Sequence, residues 1–288
     1  MRLKKINLLL FTAFFSLFLT ACKQEESLLP TYLRLHPSVF KTQPNTGTKH
    51  QNIEDYWLYV DHKIIGVIPD KNVIPVVGEG VKDLSILPGI RVNGLRDEAY
   101  VYSFLQPYNV TVTLCQCADT IDIYPQLEYK SEAKFSFIED FENSNRFTID
   151  LDKSSATNAV TQTTTAAEGS YSLALNVSAT ASTNSITTLD FYKDFQSDGR
   201  DVFLEFEYKS DFPFLVGIQT HLTSGDFLEY AAGIYASQEW KKIYINFTDL
   251  VLASKSTGGY RPVFTVSHPG GTIDPGNLYI DNIKLVHY

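Results

Sequence analysis

Apolar and polar residues alternate in short stretches along most of this chain. Alternation with period two is the pattern of a half-buried β-strand, because successive side chains of a strand point to opposite faces. In the first half the pattern predicts strands at 56–61, 64–68, 73–77, 82–87, 90–92, 99–105 and 108–115. We expect the first two to form a hairpin with its turn at His62-Lys63, and Pro88-Gly89 to separate two later strands.

The second half continues this pattern with ten candidate strands, at 135–141, 149–151, 170–177, 185–192, 202–210, 214–221, 227–235, 240–247, 260–266 and 278–286. The 3.6-residue period of an amphipathic helix is missing from this half and from the first. The sequence therefore predicts an all-β protein: a small Ig-like antiparallel sandwich at 53–130, followed by a β jelly-roll sandwich at 134–288. The boundary is placed near Ser131.

One apolar segment differs, because it does not alternate. Arg2, Lys4 and Lys5 precede a predominantly apolar run at 8–19, which is too short to span a bilayer and is typical of a secretory signal. It ends in Leu19-Thr20-Ala21-Cys22, which resembles the lipobox of bacterial lipoproteins. The resemblance implies that residues 1–21 are removed as a signal peptide and that Cys22 carries lipid, palmitate included. The alternatives are an ordinary signal peptide or an anchor helix with a chance cysteine.

Residues 22–52 then form the lipid tether and the segment leading into the first domain. The acidic stretch Lys23-Gln24-Glu25-Glu26 resembles the export tag that some Gram-negative bacteria place after the lipidated cysteine. This implies an outer-membrane protein displayed at the cell surface, with the membrane as a partner through the lipid anchor. A solvated start of a linker is the alternative.

The chain carries a formal net charge of −9 without a basic stripe, which argues against nucleic acid and anionic lipid headgroups as partners. Besides Cys22 it has only Cys115 and Cys117. On one face of a strand their Cα atoms would be about 6.6 Å apart, near the upper limit for a disulfide. The sequence therefore predicts two small buried side chains at the end of a strand, without a bond between them. A redox pair or half of a metal site is the alternative.

Each half resembles a known kind of module. The run from Tyr59 to Gly66, followed by Pro75 and a strand led by Gly80, is similar to PEGA-like and carboxypeptidase-regulatory-like domains. In the second half the runs 139–142, 168–173, 239–247 and 278–285 occur in the order seen in galactose-binding-like jelly rolls, shared by many carbohydrate-binding modules. The second resemblance implies a glycan ligand, although the fold also serves structural roles.

Period two also predicts which jelly-roll side chains point away from the core. In the strand 202–210, Leu204, Phe206 and Tyr208 take the core face, so Glu205 points outward. Carboxylate, amide and aromatic groups on one face suit a sugar. The predicted ligand-binding residues are Glu205, Gln219, His221, Tyr244 and Asn246, with a solvated outer face as the alternative. Trp240 is predicted to be a core residue.

The sequence contains no catalytic triad, phosphate loop or zinc signature, so we expect no enzyme. The jelly-roll resemblance implies a structural calcium ion near Asp140 and Asp281, and acidic strand caps without metal are the alternative. Two functions follow as hypotheses: non-catalytic glycan binding, or a structural, assembly or adhesion subunit that docks onto an outer-membrane protein.

Overall fold

The computed structural model describes residues 28–288, apart from 42, 70, 71, 98, 197 and 272. The signal peptide, Cys22 and the acidic stretch 23–26 lie outside the described residues. Within that range the regular elements are strands and one short helix, so the all-β prediction is confirmed. No described helix is long and apolar enough to cross a membrane.

The N-terminal half folds into a sandwich around Leu33, Tyr56 and Ile86. Its strands are β1 (Thr31–Leu35), β2 (Val39–Phe40), β3 (Asp55–Val60), β4 (Lys63–Pro69), β5 (Val73–Val76), β6 (Gly80–Arg91), β7 (Ala99–Val101), β8 (Tyr108–Leu114), β9 (Thr120–Ile123) and β10 (Gln126–Leu127). One sheet has the order β4-β3-β6-β7 with β8 also on β6, and the facing sheet has the order β5-β1-β9. Part of the segment expected as a tether therefore belongs to this sandwich.

The structure corrects two local predictions in this half. The β3–β4 turn is Asp61-His62, one residue earlier than expected, and both residues have positive φ (46° and 66°), as a type I′ turn requires. Pro88-Gly89 does not separate two strands but lies inside β6. Glycine is needed there because a Cβ would lie 2.4 Å from the ring of Trp57.

The prediction of two small buried cysteines is also wrong. Cys115 and Cys117 follow the end of β8, where Cys117 is exposed, and they are joined by a disulfide with their Cα atoms 5.2 Å apart. The chain turns after Leu114 and so brings the two Cα atoms closer than a strand would.

The C-terminal half is a second, larger sandwich, as predicted. Its elements are β11 (Lys134–Glu139), β12 (Ile149–Asp150), β13 (Ala159–Gln162), β14 (Ser172–Val177), β15 (Thr183–Thr187), β16 (Val202–Ser210), β17 (Phe214–Leu222), β18 (Gly225–Ile234), β19 (Ser237–Asn246), the helix α1 (Thr248–Ser254), β20 (Tyr260–Ser267) and β21 (Gly276–His287). One sheet, the inner sheet, has the order β13-β14-β21-β16-β19, with β11 also on β21. The outer sheet has the order β12-β15-β20-β17-β18, and the apolar core lies between the two.

The two halves are packed together through the inner sheet. Its outward side chains Phe203, Tyr244 and Val286 form a buried interdomain cluster with N-terminal residues. The N-terminal members are Ile90, Val92, Tyr102, Phe104, Leu105, Leu127 and Tyr129. The link between the halves takes part, because Lys130 N–H donates to the Phe104 carbonyl. The inner sheet is therefore buried on both faces over much of its area.

Candidate ligand-binding cleft

The five residues predicted to share one ligand-binding face lie on two different sheets. Glu205, Tyr244 and Asn246 belong to the inner sheet, whereas Gln219 and His221 belong to β17 of the outer sheet. Each does point away from the sandwich core, as period two predicts. The prediction of a single face is wrong, because the residues of the inner sheet and those of the outer sheet point in opposite directions from the core between the sheets.

Glu205 is fully buried beneath the N-terminal half rather than exposed. Its Oε1 accepts hydrogen bonds from the hydroxyls of Tyr102 and Tyr129, and its Oε2 lies 3.3 Å from Lys242 Nζ. Burial alone would raise the pKa of the Glu205 carboxyl, but Lys242, Lys284 and the two hydroxyls outweigh it, so the pKa is lowered. Glu205 is thus an ionised carboxylate at the domain interface.

Tyr244 and Asn246 also join the two halves. Tyr244 is only 1% exposed, and its hydroxyl donates to Gln51 Oε1 (2.8 Å) and accepts from the Asn52 N–H (2.9 Å). The Asn246 N–H donates to Asn93 Oδ1 at 3.0 Å. The expectation that Tyr244 is an exposed stacking residue is therefore wrong, since its ring packs against Tyr102.

On the outer sheet, Gln219 is buried and His221 is exposed. Gln219 Oε1 accepts from Arg261 Nε at 2.8 Å, and His221 Nδ1 lies 2.6 Å from Asp226 Oδ1. The Arg261 guanidinium also lies 4.1 Å from the centroid of the Phe191 ring. Of the five predicted residues, His221 is exposed, Asn246 is half-buried and the other three are buried.

The two acids expected at a calcium site are engaged by backbone donors. Asp281 is fully buried and accepts from the N–H groups of Ala167, Glu168 and Asn282, while Asp140 accepts from Glu142 N–H. Burial raises the pKa of Asp281 to about 7. Among the described residues, the one group of three side chains close enough to share a metal ion is Cys115, Cys117 and Asp119. The two cysteines of this group are bonded to each other in a disulfide. A structural calcium ion at Asp140 and Asp281 stays a prediction.

Beside the interdomain cluster, the two halves leave an open cavity of about 790 Å³, which we call the interdomain cleft. The N-terminal half contributes residues 50–52 and 54, Arg91 and the loop 93–96. The jelly roll contributes Glu207 and Tyr208, the turn 233–235 and the residues 240–243 of β19. Neither half could form this cleft alone.

The cleft contains an aromatic surface that is held in place. Trp240 is half-buried, and its Nε1 donates a hydrogen bond to Thr165 Oγ1 at 3.1 Å. Tyr235 lies at the rim and is 81% exposed. The prediction that Trp240 is a core residue is wrong: it shares the outward face of β19 with Lys242 and Tyr244, which lie two and four residues further on.

Polar side chains surround these rings. His50 Nδ1 lies 3.1 Å from Glu207 Oε1, and Asn282 Nδ2 donates to Glu207 Oε2 at 2.7 Å. Arg91 forms an ion pair with Asp55 at 2.7 Å. Rings that offer apolar area, beside amide and charged groups that fix polar atoms, are the usual lining of a small-ligand site.

The sequence contained one signal for this cleft. Applying period two to β19 places Trp240 on the same face as Tyr244, so it could have been recognised as a non-core residue. The contributions of Arg91, Arg96 and the segment 50–54 had no such signal, because they depend on how the two halves pack.

No protein-family model matches the chain, and no curated protein sequence matches it. Comparison with solved structures finds similarity to the CBM22-1 xylan-binding domain of Paenibacillus barcinonensis Xyn10C, at 14% identity and a TM-score of 0.40, covering 54% of this chain and 95% of that domain. The family 11 carbohydrate-binding module of Clostridium thermocellum Lic26A-Cel5E is 14% identical with a TM-score of 0.39, and the match covers 55% of this chain and 97% of that module. The C-terminal family 22 module of C. thermocellum Xyn10B is 19% identical with a TM-score of 0.38, and the match covers 53% of this chain and 92% of that module. Similarity at this level carries no conclusion about the ligand of this chain.

Proposed function

We propose that this chain is a lipid-anchored protein that binds a glycan in the interdomain cleft without altering it. The observation that carries the proposal is the indole of Trp240, fixed by Thr165 and surrounded by polar side chains in a cleft of about 790 Å³. Sites for small ligands are concave, of roughly 300 to 1,000 Å³, and combine apolar rings with a few polar groups. An oligosaccharide presents both kinds of surface: apolar ring faces and hydroxyl groups.

The anchor belongs to the same proposal. The charged residues, apolar run and Leu19-Thr20-Ala21-Cys22 support lipidation of Cys22, and the acidic stretch after it supports display at the surface of the outer membrane. The tether from Cys22 to the start of β1 at Thr31 spans at most about 30 Å. The start of the N-terminal sandwich would then be held close to the membrane.

The test compares Trp240→Ala with Phe227→Ala in the chain from residue 23 onward. Both remove an aromatic ring from the jelly roll, but Phe227 is exposed on β18 and does not line the cleft. A glycan array identifies a ligand, and calorimetry measures its affinity. We expect Trp240→Ala to weaken binding about tenfold, equivalent to about 1.4 kcal/mol, and Phe227→Ala to leave it unchanged.

The glycan should be recovered intact after prolonged incubation with the protein. Cleavage of the glycan would contradict non-catalytic binding. Silence across the array, or equal affinity of the two variants, would overturn binding in the cleft.

A second function is favoured by a different observation. β4 is at the edge of its sheet, and it exposes Ile64, Ile65 and Val67, each at 45% or more. Free strand edges with apolar side chains pair readily with other proteins. This supports the assembly or adhesion alternative, in which an outer-membrane protein partner adds a strand to β4. Co-purification that is lost in Ile64→Lys, together with silence on the array, would favour it.

A further inference from the structure

The lining of the interdomain cleft carries more cations than carboxylates, although the chain as a whole is acidic. Arg91, Arg96, Lys241 and Lys242 line it, against the two carboxylates of Glu54 and Glu207. The formal net charge of the chain is −9. We propose that the glycan bound in the cleft is anionic, carrying carboxylate or sulfate groups. This inference rests on the proposed function and specifies its ligand class.

The carboxylates of the cleft already have partners. Glu207 is held by His50 and Asn282, and Glu54 accepts from Asn52 Nδ2 at 2.9 Å. Proteins commonly fix the hydroxyls of a neutral sugar with free carboxylate and amide acceptors. Here the acceptors are engaged, so the groups left to bind a ligand are mainly donors.

Three of the four cations have bonding capacity left. Arg96 and Lys241 are exposed, and neither forms an ion pair or side-chain hydrogen bond with another described residue. Arg91, in contrast, is engaged by Asp55. Unpaired cations at the rim of a cleft attract an anionic ligand and are not required to hold the fold together.

Lys242 lies deeper than Arg96 and Lys241. Its side chain is only 4% exposed, its Nζ has no hydrogen-bond acceptor among the described residues, and its contact with Glu205 Oε2 is an ion pair at 3.3 Å. An ammonium group has three donors, and a buried donor without an acceptor is unfavourable. This Nζ has no surface open to solvent, so Lys242 would have to turn away from Glu205 before a carboxylate or sulfate oxygen in the cleft could supply the missing acceptor, and the direct contacts fall to Arg96 and Lys241.

The decisive experiment compares two double variants of equal charge. Arg96→Gln/Lys241→Gln removes the rim cations, whereas Lys63→Gln/Lys134→Gln removes two exposed lysines that do not line the cleft. The probes are oligogalacturonate, a sulfated glucan, neutral xylan and neutral glucan, measured by calorimetry. The two anionic probes distinguish a carboxylate from a sulfate ligand.

We expect wild type to bind one anionic probe more tightly than either neutral one. The rim variant should bind it about tenfold more weakly, and the control variant should match wild type. Affinity should fall as NaCl is raised from about 0.05 M to about 0.5 M, because salt screens the charges.

Tighter binding of a neutral probe would overturn the anionic class, and if that binding is lost in Trp240→Ala the proposed function itself survives. Equal affinity of the two double variants for the anionic probe would also overturn the proposal of an anionic ligand. Failure of all four probes together with silence on the array would overturn both proposals.

Discussion

At the scale of single residues, the buried charges of Lys284 and Glu205 at the domain interface influence each other's pKa. Lys284 is fully buried; its Nζ donates to the Thr48 carbonyl (2.8 Å) and to the Tyr129 hydroxyl (3.2 Å), and it helps to hold Glu205 ionised. Burial lowers the pKa of Lys284 to about 8, because the neutral amine is favoured away from water. The buried Lys284 ammonium therefore favours the ionised form of Glu205, but the unfavourable burial of its own charge reduces the free energy of unfolding near neutral pH.

That pKa gives a pH-dependent prediction. The folded-state pKa of Lys284 is below the usual 10.5, so its contribution to stability is complete above pH 10.5 and is lost as pH falls through about 8. Wild type should therefore gain about 2 kcal/mol from this group between about pH 7 and about pH 9.5. Urea unfolding across that range measures it, and Lys284→Met should lack the gain. An equal gain in Lys284→Met would exclude this lysine as its source.

Tyr244 gives a second residue-scale prediction. Tyr244→Ala empties a buried space and removes two hydrogen bonds between the halves, so the free energy of unfolding should fall by about 3 to 5 kcal/mol. Tyr244→Phe keeps the ring and should lose about 1 to 2 kcal/mol. Tyr235→Ala, at an exposed rim position, is the control and should change stability little. An unaffected melting temperature in Tyr244→Ala would show that the two halves do not pack here.

At the scale of elements, alternation predicted most strands, but it missed the short strands β1, β2, β9, β10 and β13. These have two to five residues, too few for a clear period of two. The helix α1 was missed because seven residues give too short a window for a 3.6-residue period. β6 was divided at Pro88-Gly89 because that pair usually marks a turn, whereas here glycine provides room for Trp57. Period two correctly predicted that the five ligand-binding candidates point away from the core of the jelly roll. It could not predict which parts of the chain cover them.

The pairing of β17 with β18 depends on a single glycine. The register shifts between Val216 and Gly217, and Tyr230 lies across this position with its hydroxyl 3.0 Å from Thr265 Oγ1. A Cβ at Gly217 would lie 2.5 Å from the Glu229 carbonyl oxygen. Gly217→Ala should therefore lower the free energy of unfolding by about 2 kcal/mol, measured by urea unfolding.

Gly233→Ala is the matched control on the neighbouring strand. A Cβ there would lie 3.6 Å from Leu215, an ordinary contact, so little change is expected. Equal stability of the two variants would mean that β18 can move away from β17 without penalty.

At the scale of the whole molecule, the packing of the two halves is what the sequence could not predict. The jelly-roll side of the interface has the apolar Phe203 and Val286, but its other members are a tyrosine, a glutamate, lysines and an asparagine. On an outward face these polar and aromatic residue types are equally typical of a solvated or sugar-binding surface. Only the other half of the chain decides between these interpretations. The domain boundaries 53–130 and 134–288 remain a prediction.

The packing changes what is expected of proteolysis. An exposed link would be cut first between Glu128 and Lys134, but Tyr129 is buried and the backbone of Lys130 is bonded to Phe104. We therefore expect trypsin to cut slowly after Lys130 and the chain to unfold in one cooperative transition. Mass spectrometry of the early fragments tests this. Rapid cleavage after Lys130 into two folded fragments would show that the halves are independent.

The proposed anchor is tested by metabolic labelling. Wild type should incorporate labelled palmitate and sediment with outer membranes, and Cys22→Ser should do neither. Cys117→Ser, which removes a different cysteine, is the control and should be labelled normally. Label retained in Cys22→Ser would rule out lipid on this residue, and resistance to protease added to intact cells would argue against surface display.

The position of β1 has a mechanical consequence if the chain is anchored at Cys22. A glycan held in the cleft and a lipid held in the membrane would pull on opposite parts of the molecule, and this load would enter the fold at Thr31. β1 lies between two strands and runs parallel to β9, whose far end leads on toward the jelly roll. The two strands would be drawn from opposite ends, so their hydrogen bonds would be loaded together in shear. Such a strand resists tension far better than one that can be peeled away bond by bond.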